Sequence, residues 1–306
     1  MTRPQTVANY IVVTPVKDEE RYIAKTLQSV SSQTVRPICW VLVDDGSTDR
    51  TPEIICDYVR AFDWISCIRV EREPGRQLGS AEVRAFEIGY RSVLHLNHDY
   101  VVKLDADLSL PPDYFEQMLV RFNSNSRLGI ASGLYLEEHD GRWNSVSLPP
   151  YHAAGAAKMV RVPCYQAIGG FPLLPGWDTA DEIKAWAHGW ETKHFPEILF
   201  CHLKAEGLAS GSLGTSYFHG KIYYVCGGNL FFFCAKLLHR LLTGKPFLLS
   251  GVMLLAGYVH SALVRCPKLV NAREEKYYRR LLNRRILRGL TLIRLHVFDM
   301  RKQGDN

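Results

Sequence analysis

Apolar runs and helical stripes alternate through the first two-thirds of the chain. Tyr10–Thr14 is a short β-branched run. Ile38–Val43 (ICWVLV) is continuously apolar, as suits a strand covered on both faces. Between them, Ile23, Leu27 and Val30 give Glu19–Ser31 a helical spacing, and Ile54, Ile55, Tyr58 and Val59 do the same for Thr51–Phe62. The pattern predicts further strands over Ile65–Val70, Tyr100–Leu104 and Gly129–Leu136, and helices over Ser80–Leu96 and Pro112–Asn123. Strands alternating with helices imply an α/β domain with a doubly wound, mostly parallel sheet. Such sheets bind ligands beyond the carboxyl ends of their strands.

Past about residue 210 the alternation stops. Tyr217–Leu242 is apolar and aromatic, and Pro246–Val264 is a run of 19 residues without Asp, Glu, Lys or Arg. A basic amphipathic helix is expected from Arg273, with Tyr278, Leu282, Ile286, Leu290, Ile293 and Val297 on one face. The chain therefore divides into a main domain over 1–210 and a helical appendage over 211–306. Nineteen uncharged residues just reach the length of a membrane span. Pro246, Gly251, Gly257 and His260 dilute the run, which fits a buried hairpin or an interfacial helix as well as a span.

Composition adds two exclusions. With 47% hydrophobic and 22% charged residues, the chain is neither disordered nor fibrous. Of 37 Lys and Arg, 12 lie in residues 265–306 beside only 4 acids, so the tail carries +8 and the rest of the chain −2. A basic balance confined to the tail argues against a nucleic-acid binder. The arginine-rich stretch over 273–294 fits anionic lipid headgroups, or a solvated face packed on the main domain. The eight cysteines are scattered, with no metal-site spacing, and read as reduced thiols. The polar start, MTRPQTVANY, has no secretory pattern, so a cytoplasmic location is expected.

Candidate chemistry gathers at three strand ends: Thr14–Glu20 (TPVKDEE), Asp44–Asp49 (DDGSTD) and Asp105-Ala106-Asp107. Strands that end in paired aspartates place like charges together, and a divalent cation relieves the repulsion. Such a cation binds carboxylate oxygens and can bridge to a diphosphate. Taken singly, Asp45-Gly46-Ser47 could be an ordinary turn and Asp49 or Thr51 a helix cap.

The ordered set resembles family 2 glycosyltransferases of the GT-A fold. The likeness runs over about residues 9–204, through VVTPVKDEERYIAKTLQSVSSQT (12–34), VDDGSTDRT (43–51), KLDADLSLPPDYFE (103–116), IGGFPLLPGWDTADEIKAWAHGWET (168–192) and a strand ending in His202. The resemblance implies a nucleotide-sugar site at Thr14, Pro15, Glu20, Asp44 or Asp45, Arg76, Lys103, Asp105 and Ala106. It implies Mn2+ or Mg2+ on Asp107, with His202 as a further ligand. The family's catalytic base is an aspartate eleven residues before a helix-ending glycine. Counting back from Gly189 gives Asp178, with Asp181 and Glu182 as rivals.

Two departures stand out. Lys17-Asp18 replaces the usual Asn, and GRQLGSAEVRAFEIGY (75–90) keeps Arg84 but has Glu87 near the customary Asn. The processive Gln-x-x-Arg-Trp motif is absent. The expectation is an inverting, metal-dependent transferase that moves a sugar from a nucleotide diphosphate, UDP by analogy, to a glycan or lipid-linked acceptor. It would sit on the cytosolic membrane face through its tail, which could instead form a homodimer. The alternatives are a sugar nucleotidyltransferase and a non-catalytic nucleotide-sugar scaffold.

Overall fold

The structure is a computed structural model, and it describes residues 8–71, 81–204 and 211–285. The chain divides into two compact units, residues 1–206 and 207–306.

In the first unit, β1 (Tyr10–Val16), β2 (Cys39–Asp44), β3 (Ile65–Arg69) and β4 (Tyr100–Leu104) are parallel neighbours in the order β3-β2-β1-β4. The sheet continues through β8 (Ala157–Arg161), β6 (Leu128–His139), β9 (Glu191–His202) and β5 (Leu108–Ser109), with β7 (Arg142–Ser145) paired to β6. β5, β7 and β8 run antiparallel to the other six strands. The chain winds outward from β1 to β3 and then returns to place β4 on the other side of β1. That reversal opens a crevice at the carboxyl ends of β1 and β4.

Alternation along each strand sorts side chains into two cores. Tyr10, Val12, Trp40, Leu42, Tyr100 and Val102 face α1 (Ile23–Ser31), α2 (Thr51–Ala61) and α4 (Tyr114–Ser124). Ile11, Val13, Val41, Val43 and Val101 face α3 (Ala81–Ser92), α5 (Val162–Ala167) and α6 (Trp177–Ala187). Each fully buried aliphatic side chain here contributes about 1.5–3 kcal/mol. α3 lies close on the sheet because Gly89 has no Cβ: one there would stand 2.7 Å from both Val13 and Val43.

The first helix starts later than its stripe suggests. Residues 19–22 form a turn, with the Tyr22 N–H donating to Glu19 O at 3.0 Å, before the helix begins at Ile23. α3 ends at Ser92 instead of Leu96, where the Ser92 hydroxyl donates to the Gly89 carbonyl at 2.7 Å.

The second unit is helical: α7 (Gly211–Val225), α8 (Leu230–Thr243), α9 (Leu249–Leu263) and a helical stretch over 272–285. α7 and α9 cross at glycines. A Cβ on Gly220 would lie 2.0 Å from the Leu254 carbonyl oxygen, and one on Gly257 would lie 1.9 Å from that of Tyr217. The uncharged run over 246–264 becomes a 15-residue helix, α9. No helix among the described residues is long and apolar enough to cross a membrane.

Candidate active site

The loops after β1 and β2 are tied together by reciprocal bonds. The Asp18 N–H donates to Ser47 Oγ at 3.0 Å and Thr48 N–H returns one to Asp18 Oδ1 at 2.7 Å. Glu20 N–H donates to Asp49 Oδ2 at 3.1 Å, and Arg50 N–H donates to Glu20 Oε2 at 3.1 Å. Asp18 takes a left-handed backbone, φ 52°, to make this turn. Asp44 points inward: its carboxylate accepts from Ser47 N–H at 2.8 Å and pairs with Arg69 at 3.2 Å. Asp45 sits half-buried at the loop mouth, its N–H bonded to Val16 O at 2.9 Å. The Thr14 hydroxyl is buried and accepts from the Trp40 indole at 2.9 Å, so this side chain holds the sheet together. Pro15 lies half-buried next to it.

β4 delivers the acidic segment to the crevice. One ligand atom from each of Asp105, Asp107 and His202 lies within 4.8 Å of the others, and His202 Nε2 is 3.4 Å from Asp107 Oδ1. The short β5 pairs Leu108 with His202, so the ladder itself sets the Asp107–His202 distance. On the other side Thr26 of α1 fixes the loop. Its hydroxyl lies 2.7 and 2.8 Å from the Ala106 and Leu108 carbonyl oxygens and accepts from Leu108 N–H at 3.0 Å. Ala106 itself is buried. Lys103 is buried two positions before Asp105, paired with it and lying 3.6 Å from Glu82. Burial pushes Asp105 up to about 7 and would by itself push Lys103 down, but Asp105 and Glu82 hold Lys103 above its ordinary value. Glu19 is raised by burial and is paired with Lys204 at 2.6 Å. Two carboxylates with an imidazole form a donor set that suits Mn2+ or Mg2+, and a bound cation would relieve the crowded negative charge.

Asp178 stands in the first turn of α6, half-buried, where the helix N-terminus favours a carboxylate. It lies beside the acidic segment. Its Cβ is 3.7 Å from the Cβ position of Gly155, and the next residue, Ala156, accepts from Asp105 N–H at 2.8 Å. Asp181, three residues on, is completely buried. Its carboxylate accepts from Lys158 at 2.9 Å, and burial, opposed by Lys158, pushes it up to about 7. Glu182 is also buried. It accepts from Ala153 N–H at 2.6 Å and bonds His152 Nδ1 at 3.1 Å, with Lys158 at 3.9 Å. Lys158 further donates to the Asp178 carbonyl oxygen at 3.1 Å. Lys103 and Lys158 are register partners on β4 and β8, and both cations lie over the Trp177 ring, 5.3 and 5.1 Å from its centroid. Trp177 Nε1–H donates to Glu82 at 2.8 Å.

Pro15, Asp45, Asp105, Asp107, Asp178 and His202 thus stand at the crevice or beside its acidic segment. Thr14, Asp44 and Asp181 are turned into the protein, and Glu20 braces the two loops from the surface. Arg76 lies outside the described residues, and Arg84 is on the exposed side of α3. Glu87 is engaged by Arg91 at 2.7 Å and the Tyr165 hydroxyl at 3.0 Å. Sequence reasoning passed over Thr26, Glu82, His152, Lys158 and Trp177. A lysine inside the apolar run AKMV was the one available signal, because a buried ammonium needs a partner.

Comparison with known proteins gives the family and the fold. The model of glycosyl transferase family 2 matches residues 11–166. A putative glycosyltransferase of Bacillus subtilis, EpsH, is 30% identical over 104 residues, which is 34% of this chain and 27% of that protein. The chain spans from a quarter to about half the length of the curated relatives it matches. Among solved structures, the mannosyltransferase PcManGT of Pyrobaculum calidifontis, in complex with GDP-Man and Mn2+, aligns with a TM-score of 0.56 at 15% identity, covering 90% of this chain and 84% of that one. GalNAc-T7 with UDP, GalNAc and Mn2+ aligns at 0.58 and 16% identity, covering 87% and 56%. The shared architecture is the GT-A fold.

Proposed function

Because this chain belongs to glycosyl transferase family 2, we propose that it transfers a sugar from a nucleotide-diphosphate donor to an acceptor hydroxyl with inversion at the anomeric carbon. The observation that carries this reading is the convergence of Asp105, Asp107 and His202 beside the Asp178-bearing end of α6. Asp107 and His202, with Asp105, would hold Mn2+ or Mg2+. When bound, the cation supplies positive charge for the departing diphosphate. The loops carrying Pro15, Glu20 and Asp45 receive the nucleoside, with Thr14 and Asp44 holding those loops in shape. Lys103 and Ala106 position the acidic segment, and Arg76 would reach the diphosphate.

Asp178 takes the proton from the acceptor hydroxyl as its oxygen bonds to the anomeric carbon and the bond to the diphosphate breaks. Asp181, held by Lys158, keeps α6 in place instead of acting on substrate. The GDP-Man, UDP and Mn2+ of the structural neighbours support a nucleotide sugar and Mn2+ as the pair to test first, UDP-sugars before others. The acceptor is a glycan or a lipid-linked glycan, met at the cytosolic membrane face through the C-terminal unit. Homodimerisation through that unit is the competing use.

The test is thermal-shift binding of UDP, GDP, dTDP and CDP with and without Mn2+. One nucleotide should raise the melting temperature only with metal, by about 2.7 kcal/mol of added stability at a hundredfold excess over Kd, and Asp107→Ala should abolish it. No shift with any nucleotide in folded protein overturns the reading. Asp178→Asn should keep the shift and lower kcat by about 10²–10⁴-fold. Unchanged turnover would remove Asp178 as the base.

A further inference from the structure

One helix of the C-terminal unit, α9, is built inside out. The side of α9 that packs inward carries Ser250, Gly251, Gly257 and Ser261 around a single leucine, Leu254. Its outward side carries Leu249, Val252, Leu255, Val259 and Leu263, spaced three or four apart along one face, with Leu263 78% exposed. α8 buries Phe233 but leaves Phe231, Leu238 and Leu242 exposed, and Phe247 at the α8–α9 turn is 62% exposed. A helix in a water-soluble protein turns its large apolar residues inward. Small residues inside and large apolar residues outside is the arrangement of helices that face hydrocarbon. Exposed large apolar residues grouped on a helix face in this way mark a docking site.

Charge selects the occupant. Residues 207–273 contain no Asp or Glu at all. They do contain Lys221, Lys236, Arg240, Lys245, Arg265, Lys268 and Arg273. Arg240 is in the last turn of α8, Lys245 lies in the α8–α9 turn, and Arg265 and Lys268 follow the end of α9. Burial, with Arg240 and Arg285 nearby, pulls Lys236 down to about 8, as a locally positive field does. Apolar faces flanked by cations match a bilayer surface with anionic headgroups: the side chains enter the acyl boundary and the cations meet the phosphates. α9, at 15 residues, falls short of the roughly 20 needed to span.

We propose that the α8–α9 hairpin is a monotopic membrane-insertion surface, embedded in one leaflet of an anionic bilayer by the exposed faces of both helices. The proposal deepens the membrane attachment stated under Proposed function by naming its surface, and it assigns the main contact to the hairpin instead of the arginine-rich stretch that follows.

The experiment is co-sedimentation of the full chain with vesicles of phosphatidylcholine alone and of phosphatidylcholine with phosphatidylglycerol, alongside light scattering of the lipid-free protein. Wild type should bind the anionic vesicles more tightly. The triple variant Leu242→Gln, Phe247→Gln and Leu255→Gln changes only exposed positions, so the fold should stand, as checked by an unchanged melting temperature. It should lose about tenfold or more in partition. A separate variant, Arg279→Gln, Arg280→Gln, Arg284→Gln and Arg285→Gln, should lose less. Full binding by the triple variant with loss in the arginine variant overturns the hairpin assignment while leaving membrane attachment standing. No vesicle binding by wild type overturns both. A lipid-free dimer that the triple variant converts to monomer, with vesicle binding unchanged, identifies the occupant as a second copy and overturns the proposal.

Discussion

Lys158→Met removes the single cation between two completely buried carboxylates. Lys158 is 2.9 Å from Asp181 and 3.9 Å from Glu182, and all three side chains are buried to within 1%. At an effective dielectric of about 20 the two attractions are worth about 6 and 4 kcal/mol gross. Most of this offsets the desolvation of the three groups. What the variant loses is the compensation for acids that stay buried, which costs about 3–5 kcal/mol. For a unit of this size each kcal/mol moves the melting temperature by about 2–4 °C, so a drop of about 6–20 °C is expected. The deficit should also depend on pH. Burial already raises Asp181 to about 7, and without Lys158 the acid rises further. A carboxyl whose folded pKa exceeds its unfolded one takes up a proton on folding, so its penalty appears as pH rises from the unfolded value toward the folded one. The deficit is therefore smaller at pH 5 than at pH 8. Urea unfolding at both pH values measures it. Lys158→Met/Asp181→Asn should recover part of the loss, since both charges leave together. A deficit below about 1 kcal/mol at pH 8, or one independent of pH, would falsify the account of this cluster.

Two further outcomes are expected. Thr26→Val keeps the shape of α1 but strands the buried Leu108 N–H, costing about 1–3 kcal/mol, and should weaken Mn2+-dependent nucleotide binding more than metal-free binding; equal weakening would mean that Thr26 supports the fold and not the acidic loop. For His152, burial opposes the charged ring but Glu182 outweighs it and raises the pKa. Its stabilisation is present in full below the unfolded value of about 6.5 and is lost as pH rises through the higher folded value. His152→Gln should remove that part of the stability–pH curve, and an unaltered curve would mean the pair does not contribute.

The strands of the first half were legible because period-2 and continuous apolar patterns have few other solutions. Tyr100–Leu104 is observed with the expected ends, and β1 and β2 differ by only a residue or two. β8 was not legible. AKMVR is short and interrupted by a lysine, and only the antiparallel pairing with β4 and β6 makes it a central strand. In the crevice, Asp105 and Asp107 could be named from the acidic strand end, and His202 only through the family resemblance. What could not be read was the choice among neighbouring acids. Asp44 and Asp45, like Asp178 and Asp181, look alike in sequence and differ in how deeply the fold buries them.

The sequence by itself determined the strands and helices of the first half, the family resemblance and the acidic strand ends, because local periodicity and short motifs are properties of a few consecutive residues. The tertiary structure decided three things that depend on residues far apart. It placed Lys158 between Asp181 and Glu182, which separates the acid of the α6 framework from the acid at the crevice. It brought Thr26 and the β9 histidine to opposite sides of the Asp105–Asp107 segment. It also turned the small face of α9 inward against α7 and left the large apolar face outside, a choice that hydrophobicity alone would have reversed. Burial and electrostatics act through space, and their effect on a residue is set by what the fold puts beside it.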